Sequence, residues 1–180
     1  MPLYVLSNAD GELRQSEILS NLVQFTYDPP TGDVFETRHP YAILLSQECD
    51  LLRDYEARNT PEKNILNGII FFELEPVPVA RPKLAGGDIF KRIKRHSEER
   101  YHMLPEALPE LDLLGDGLPE LIIDFRRCFT MRPEEVYRQC ALHAPDGARR
   151  RCRLDIPYRE HLQSRAAFYF QRVALPDNAD

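Results

Sequence analysis

Ala42-Ile-Leu-Leu-Ser-Gln-Glu-Cys-Asp-Leu-Leu52 continues an apolar run that begins at Tyr41 and stops abruptly at Ser46, Gln47, Glu48, Cys49 and Asp50. A short continuous apolar run reads as a strand buried on both faces, because alternation is lost where neither face meets water. Polar groups crowded at its end then sit where the chain leaves the core, a position from which side chains reach a cleft. A functional site, if the chain carries one, is expected to start there. From Cys49 to Arg58, Leu51, Leu52 and Tyr55 fall on one helical face, and Asn59-Thr-Pro-Glu62 ends that pattern.

Downstream, Ile65-Leu-Asn-Gly-Ile-Ile-Phe-Phe-Glu-Leu-Glu75 is rich in β-branched and aromatic residues that pack on a pleated surface, which makes it the clearest strand; Pro76, Pro78 and Pro82 terminate it. Upstream, Glu12 to Tyr27 fits two patterns. Leu13, Ile18, Leu22, Val23 and Phe25 can share a helical face, while Val23 to Tyr27 favours a strand. Asp28-Pro-Pro-Thr-Gly-Asp33 forces a turn, since two prolines remove backbone donors and Gly32 permits positive φ, and a strand follows from about Val34.

Gly86 to Arg95 reads as a helix capped by Asp88, with Ile89, Phe90 and Ile93 inward. Short strands are expected at Tyr101–Leu104, from Leu121 towards Phe129 and over Arg149–Ile156, with an acidic loop between Pro105 and Pro119. Pro133 and two acids open a helix from Arg132, and a C-terminal helix runs from Pro157 to Val173 with Leu162, Ala166, Phe170 and Val173 on one face. The expected fold is α+β: one domain over 1–176, a curved antiparallel sheet or small β-barrel carrying short helices and a C-terminal helix, then a loose tail at 177–180.

A chain of 180 residues buries roughly 70% of the surface its unfolded form exposes, enough for one core. No apolar stretch approaches the ~20 residues that span a bilayer, and Met1-Pro-Leu-Tyr-Val-Leu6 lacks the basic flank of a secretory signal, so the expected location is the cytoplasm, without a membrane partner. Cys49, Cys128, Cys140 and Cys152 have no framework spacing and are expected as thiols. A net charge of -6 argues against broad nucleic-acid binding but leaves room for a local basic stripe.

Several groups carry candidate chemistry. Cys49, opening a helix beside Asp50, suits a thiolate lowered by the helix N-terminus and paired with a histidine; equally, Asp50 caps the helix and Cys49 packs as a small hydrophobe. His102, pointing opposite to Tyr101 and Met103 in its strand, is the best-placed histidine for Cys49. Cys140, His143 and Cys152 offer three zinc ligands and lack a fourth, so neither metal nor cofactor is expected. The basic residues Lys91, Arg92, Lys94, Arg95, Arg126, Arg127, Arg149, Arg150 and Arg151 either follow a nucleic-acid backbone or form solvated and edge-strand surfaces, with Asp124 beside two of them.

Gly32-Asp-Val-Phe35, Arg38-His-Pro-Tyr-Ala-Ile-Leu-Leu-Ser46 and Ile69-Ile-Phe-Phe-Glu-Leu-Glu-Pro76 resemble the opening of the PemK/MazF-like barrel over about a quarter of the chain. The resemblance implies a strongly bent small barrel used in many members as a metal-independent endoribonuclease of toxin or defence systems, with Arg38 and Ser46 near the phosphate. His39 is an insertion relative to that pattern, and Glu73 and Glu75 stand where the family has a Ser or Thr, where an acid repels phosphate. Two functions follow as expectations: a nucleic-acid-acting protein with RNA as ligand, and a non-catalytic adaptor binding a protein partner. A homodimer fits both, and a thiol hydrolase using Cys49 and His102 is a third.

Overall fold

The computed structural model describes residues 2–58, 60, 65–84, 86–142 and 147–171. Its strands are β1 (Tyr4–Leu6), β2 (Glu17–Asp28), β3 (Asp33–Leu44), β4 (Ile69–Pro76), β5 (Tyr101–Leu104), β6 (Leu121–Met131) and β7 (Arg149–Leu154). Its helices are α1 (Glu48–Ala57), α2 (Val77–Ala80), α3 (Gly87–Lys94), α4 (Pro133–Ala141) and α5 (Tyr158–Phe170). The strands form one antiparallel sheet in the order β1-β7-β2-β3-β4-β6-β5. It is curved, but β1 and β5 stay as separate edges, so of the two expected forms the chain adopts the open sheet and not the closed barrel.

The ambiguous segment before Tyr27 resolves as strand. Thr31 donates to the Asp28 carboxylate at 2.8 Å, and Gly32, at φ +75°, donates its N–H to the Asp28 carbonyl at 2.8 Å. This turn folds β3 back along β2 in register from Asp28↔Asp33 to Ile18↔Ile43. Their neighbours are far shorter: β7 covers only Glu17–Ser20 of β2, and β4 covers only Tyr41–Leu44 of β3. The rest of the hairpin is a two-stranded ribbon beyond those neighbours.

Side-chain alternation divides the core. Ile18, Ile43, Phe72, Leu74, Ile123 and Phe125 meet Leu162 and Ala166 of α5 on one face. On the other face Leu19, Leu44, Phe71 and Met131 pack with Leu51 of α1 and Val136 of α4, while Tyr101, Met103 and Ile122 pack with α2 and Ile93 of α3. Each large apolar side chain withdrawn in this way contributes about 1.5–3 kcal/mol. Two expected details differ. The third helix starts at Gly87 after Gly86 at φ +88°, so Asp88 lies inside the first turn, favourable to the dipole but too late to cap. Phe170 stands 55% exposed because α5 presents only Leu162 and Ala166 fully to the sheet; Val173 lies outside the described residues.

β7 is an interior strand between β1 and β2, not a charged edge, and this decides the fate of its arginines. Arg150 is bound by Glu17 at 2.5 Å and also donates to the carbonyls of Gly11 and Glu12. Arg151 forms a fork with Asp112 at 2.7 Å through each nitrogen and reaches the Gly117 carbonyl. Both guanidiniums are buried, so neither is presented to a nucleic-acid backbone. Removing one partner leaves the other charge uncompensated, which typically costs about 3–5 kcal/mol. Glu17→Ala is therefore expected to lower the unfolding free energy obtained from urea titration by that amount, with Arg126→Ala on the surface giving no comparable change.

Candidate functional site

The chain leaves the sheet at Leu45, whose N–H donates to the Ile70 carbonyl at 2.8 Å, and the Ile70 N–H donates to Ser46 Oγ at 2.9 Å. Ser46 thus extends the β3–β4 ladder by a side-chain bond. Gln47 holds the N-cap position of α1 without a side-chain cap, and Asp50 lies in the first turn and does not cap it. Glu48 ties the turn together: it is ion-paired to Arg14 and Arg159, and it accepts the Gln15 N–H at 2.9 Å. Ser46, Gln47 and Asp50 line a cavity of about 390 Å³ with Ile70, Gln163 and Phe170. It is an apolar recess with polar groups at one rim, a form suited to holding an apolar group.

The proposed catalytic residues are dispersed. Arg38 lies on the ribbon, exposed and paired with Glu36 at 2.6 Å. Cys49 is exposed and its Sγ lies 3.7 Å from Asp50 Oδ1. His102 points away from Tyr101 and Met103 as alternation requires, but it meets His96 and His161, with ring centroids at 4.7 and 5.5 Å, and Phe125 behind them. The described contacts of Cys49 and His102 share no residue. Arg165 of α5 crosses this histidine group and donates to the carbonyls of His96, Glu98 and Tyr101.

Burial, followed by His96, Arg165 and His161, pushes the His102 imidazole down to about 2; burial and Arg165 lower His96 and His161 as well. Cys140 and Cys152 pack in clusters on opposite faces of the sheet, with burial pushing their thiols up to about 11 and 12. His143 lies outside the described residues. Among the described residues no group of three or more His, Cys, Asp or Glu is placed to hold a metal ion.

Where Phe71's face of β4 continues into Glu73 and Glu75, between the two helical clusters, the sheet turns from apolar to ionic. The β6 register jumps from Ile123 opposite Leu74 to Cys128 opposite Phe72, so Asp124, Phe125, Arg126 and Arg127 bulge across from Glu73. A furrow of about 250 Å³ results. In it Arg127 holds Glu73 at 2.7 Å, Lys83 holds Glu75, and Asp124 takes a fork from Arg100 and a weaker one from Arg126. Burial raises Asp124 despite Arg100; for Glu73 the upward push of burial is overcome by His39 and Arg127. His39 itself is buried, stacked on Phe129 at 3.7 Å, with Nδ1 3.8 Å from Glu73. Beyond the furrow, Lys91 is paired with Asp88 and Arg92 with Glu98, Lys94 lies over the Phe90 ring, Arg95 ends α3 exposed, and Arg149 donates to the Ala148 carbonyl.

The ribbon is the feature that sequence patterns left unread. Phe25, Tyr27, Val34 and Phe35 are each more than half exposed there. Its base is braced by Gln139 of α4, which donates to the Val23 carbonyl at 2.7 Å and accepts the Val23 N–H at 3.0 Å, replacing a strand neighbour. The exposed aromatics stand on the same two strands that bury Leu19, Leu22 and Ile43, and only strand length separates the two environments. The chain matches no protein-family model, and no curated protein or solved structure matches it.

Two outcomes follow for the histidines and thiols. His102 is neutral when folded and titrates near 6.5 when unfolded, so below that pH the unfolded chain binds protons preferentially. Stability should fall as pH falls through about 6.5, by about 1.4 kcal/mol per unit for this site, until the folded value is reached. Urea midpoints at pH 7 and pH 5 should converge in His102→Phe relative to the parent protein. For the thiols, iodoacetamide should label exposed Cys49 and Cys128 before Cys140 and Cys152, and His102→Ala should leave the Cys49 rate unchanged; a slowed rate would revive a thiol–imidazole pair.

Proposed function

We propose that the protein is a non-catalytic binding module that engages a protein partner through the β2–β3 ribbon. One observation carries this reading: three large apolar side chains, Phe25, Tyr27 and Val34, stand exposed on one face of the ribbon, with Phe35 exposed on the opposite face, beyond the reach of β7 and β4. A contiguous apolar surface of this kind marks an interaction site more often than a solvated one, and aromatic residues supply most of the anchoring energy in protein interfaces.

The nucleic-acid-acting alternative draws support from the four cations around the furrow, Lys83, Arg100, Arg126 and Arg127. Each already faces a carboxylate, so a phosphate would have to displace Glu73, Glu75 or Asp124 to be bound. The groups proposed for cleavage, Arg38, Ser46, Cys49 and His102, also have separate partners. Nothing in that arrangement positions an attacking hydroxyl, a general base and an acid around one phosphate.

A photoreactive phenylalanine analogue placed at position 25 and irradiated in the expressing cell should give an adduct with protein. Adducts with RNA alone, or none above the yield from the same analogue at buried Phe72, would overturn the proposal. Labelled RNA incubated with the chain without divalent metal should stay intact; cleavage that is lost in Arg38→Ala would restore the ribonuclease.

A further inference from the structure

Direct cross-strand pairing places Val23 beside Arg38, Phe25 beside Glu36 and Tyr27 beside Val34, so these six side chains share one face of the ribbon. At the base the same face runs into a groove of about 320 Å³, lined by Val23, Phe25 and Arg38 of the ribbon and by Arg138 and Leu142 at the end of α4. Leu142 is 61% exposed, so the apolar surface continues off the ribbon onto the body of the protein. The face is therefore an apolar strip with a recess at one end and a protruding aromatic, Tyr27, at the other. Four residue steps separate Val23 from Tyr27, about 13 Å in an extended strand.

The charges on and around this strip are arranged by sign. Glu36 and Arg38 are same-face neighbours on its β3 side, ion-paired to each other at 2.6 Å. The far tip carries Asp28 and Asp33, while the recess carries Arg38, paired with Glu36, and Arg138, paired with Glu135 at 2.6 Å. Such a surface is complementary to itself turned end for end: the two Glu36–Arg38 pairs lie antiparallel, acid against base, and each projecting ring meets a groove. An acidic tip also opposes a nucleic-acid backbone, whose phosphates it would repel.

We infer that this face is the contact surface of a two-fold homodimer, in which each Tyr27 enters the partner's groove and each Glu36 faces the partner's Arg38. The inference rests on the binding reading given above and names its occupant as a second copy of this chain. A two-fold axis crossing the strip between the Phe25 and Val23 levels satisfies all these contacts at once. It is an isologous arrangement, in which one patch meets its own copy and no surface is left to propagate a fibre.

Sedimentation equilibrium on the purified full chain tests it. The parent protein should sediment at twice the 20.9 kDa chain mass, and Phe25→Glu with Tyr27→Glu should raise the dimer dissociation constant at least ~30-fold, as loss of central aromatic anchors does, while the far-UV circular dichroism stays unchanged. Glu36→Arg alone and Arg38→Glu alone should each weaken the dimer; an equimolar mixture of the two variants should associate to within about threefold of the parent, because opposite charges then meet only across the axis. A chain that stays monomeric at every concentration, a dimer indifferent to the aromatic substitutions, or a mixture of the two charge variants that associates no better than either alone would each overturn the inference. A monomeric chain whose residue-25 photoadduct contains a different protein removes the homodimer and keeps the binding module, whereas a monomeric chain with no protein adduct removes both.

Discussion

The constraint on which this structure depends is a mismatch of strand lengths. β2 and β3 are twelve residues each, and the strands on either side of the pair cover a third of that length. Backbone donors and acceptors must be paired wherever they are dry, so the part of the hairpin that has neighbours lies in the core and the part without them projects into water. A single β-hairpin is marginal alone. This one is held at its root by Gln139 and by Gln24, which donates to the Thr130 carbonyl at 3.2 Å, and from its root it inherits the register that sets which side chains share a face.

The same sheet tolerates an unusual amount of interior charge. Glu17 with Arg150 and Asp112 with Arg151 are fully paired and further satisfied by backbone carbonyls, which is what allows ionised groups to stay out of water. The furrow is a half-exposed version of that solution, produced by the β6 bulge and filled by reciprocal acid–base contacts. Charge of this kind fixes the position of strands relative to one another, since a slip of one residue would bury every one of these groups without its partner.

Much of the fold was legible because the chain punctuates itself. Pro and Gly mark the turns at Asp28–Asp33 and after Pro76, and the apolar runs at Tyr41, Ile69 and Leu121 became central strands. The C-terminal helix and the placement of His102 opposite to Tyr101 and Met103 also followed from pattern. What could not be read was pairing. Arg149, Arg150 and Arg151 look like a basic patch in one dimension, and only knowing that β7 is flanked on both sides reveals why two of them are buried. In the same way, Cys49 and His102 are sensible partners by residue type, but the histidine's real neighbours, His96 and His161, come from a loop and a helix whose meeting no local spacing encodes. The ribbon was hidden for a related reason: Phe25 and Tyr27 have the composition of core strand residues, and their exposure arises from where the neighbouring strands stop.

One topological fact bears on how the molecule comes into being. β1 pairs with β7, so Tyr4 has its partner at Leu154, and Glu17 finds its counter-ion only at Arg150. During synthesis the β2–β3 hairpin, whose contacts are local, is free to form early, while the outer rim of β2 waits for β7, whose Arg150 follows Glu17 by 133 residues. Completion is expected to be a late event, and through that interval the nascent hairpin exposes an unpaired rim and an unneutralised carboxylate, a window in which chaperone capture would protect it from joining another unfinished copy.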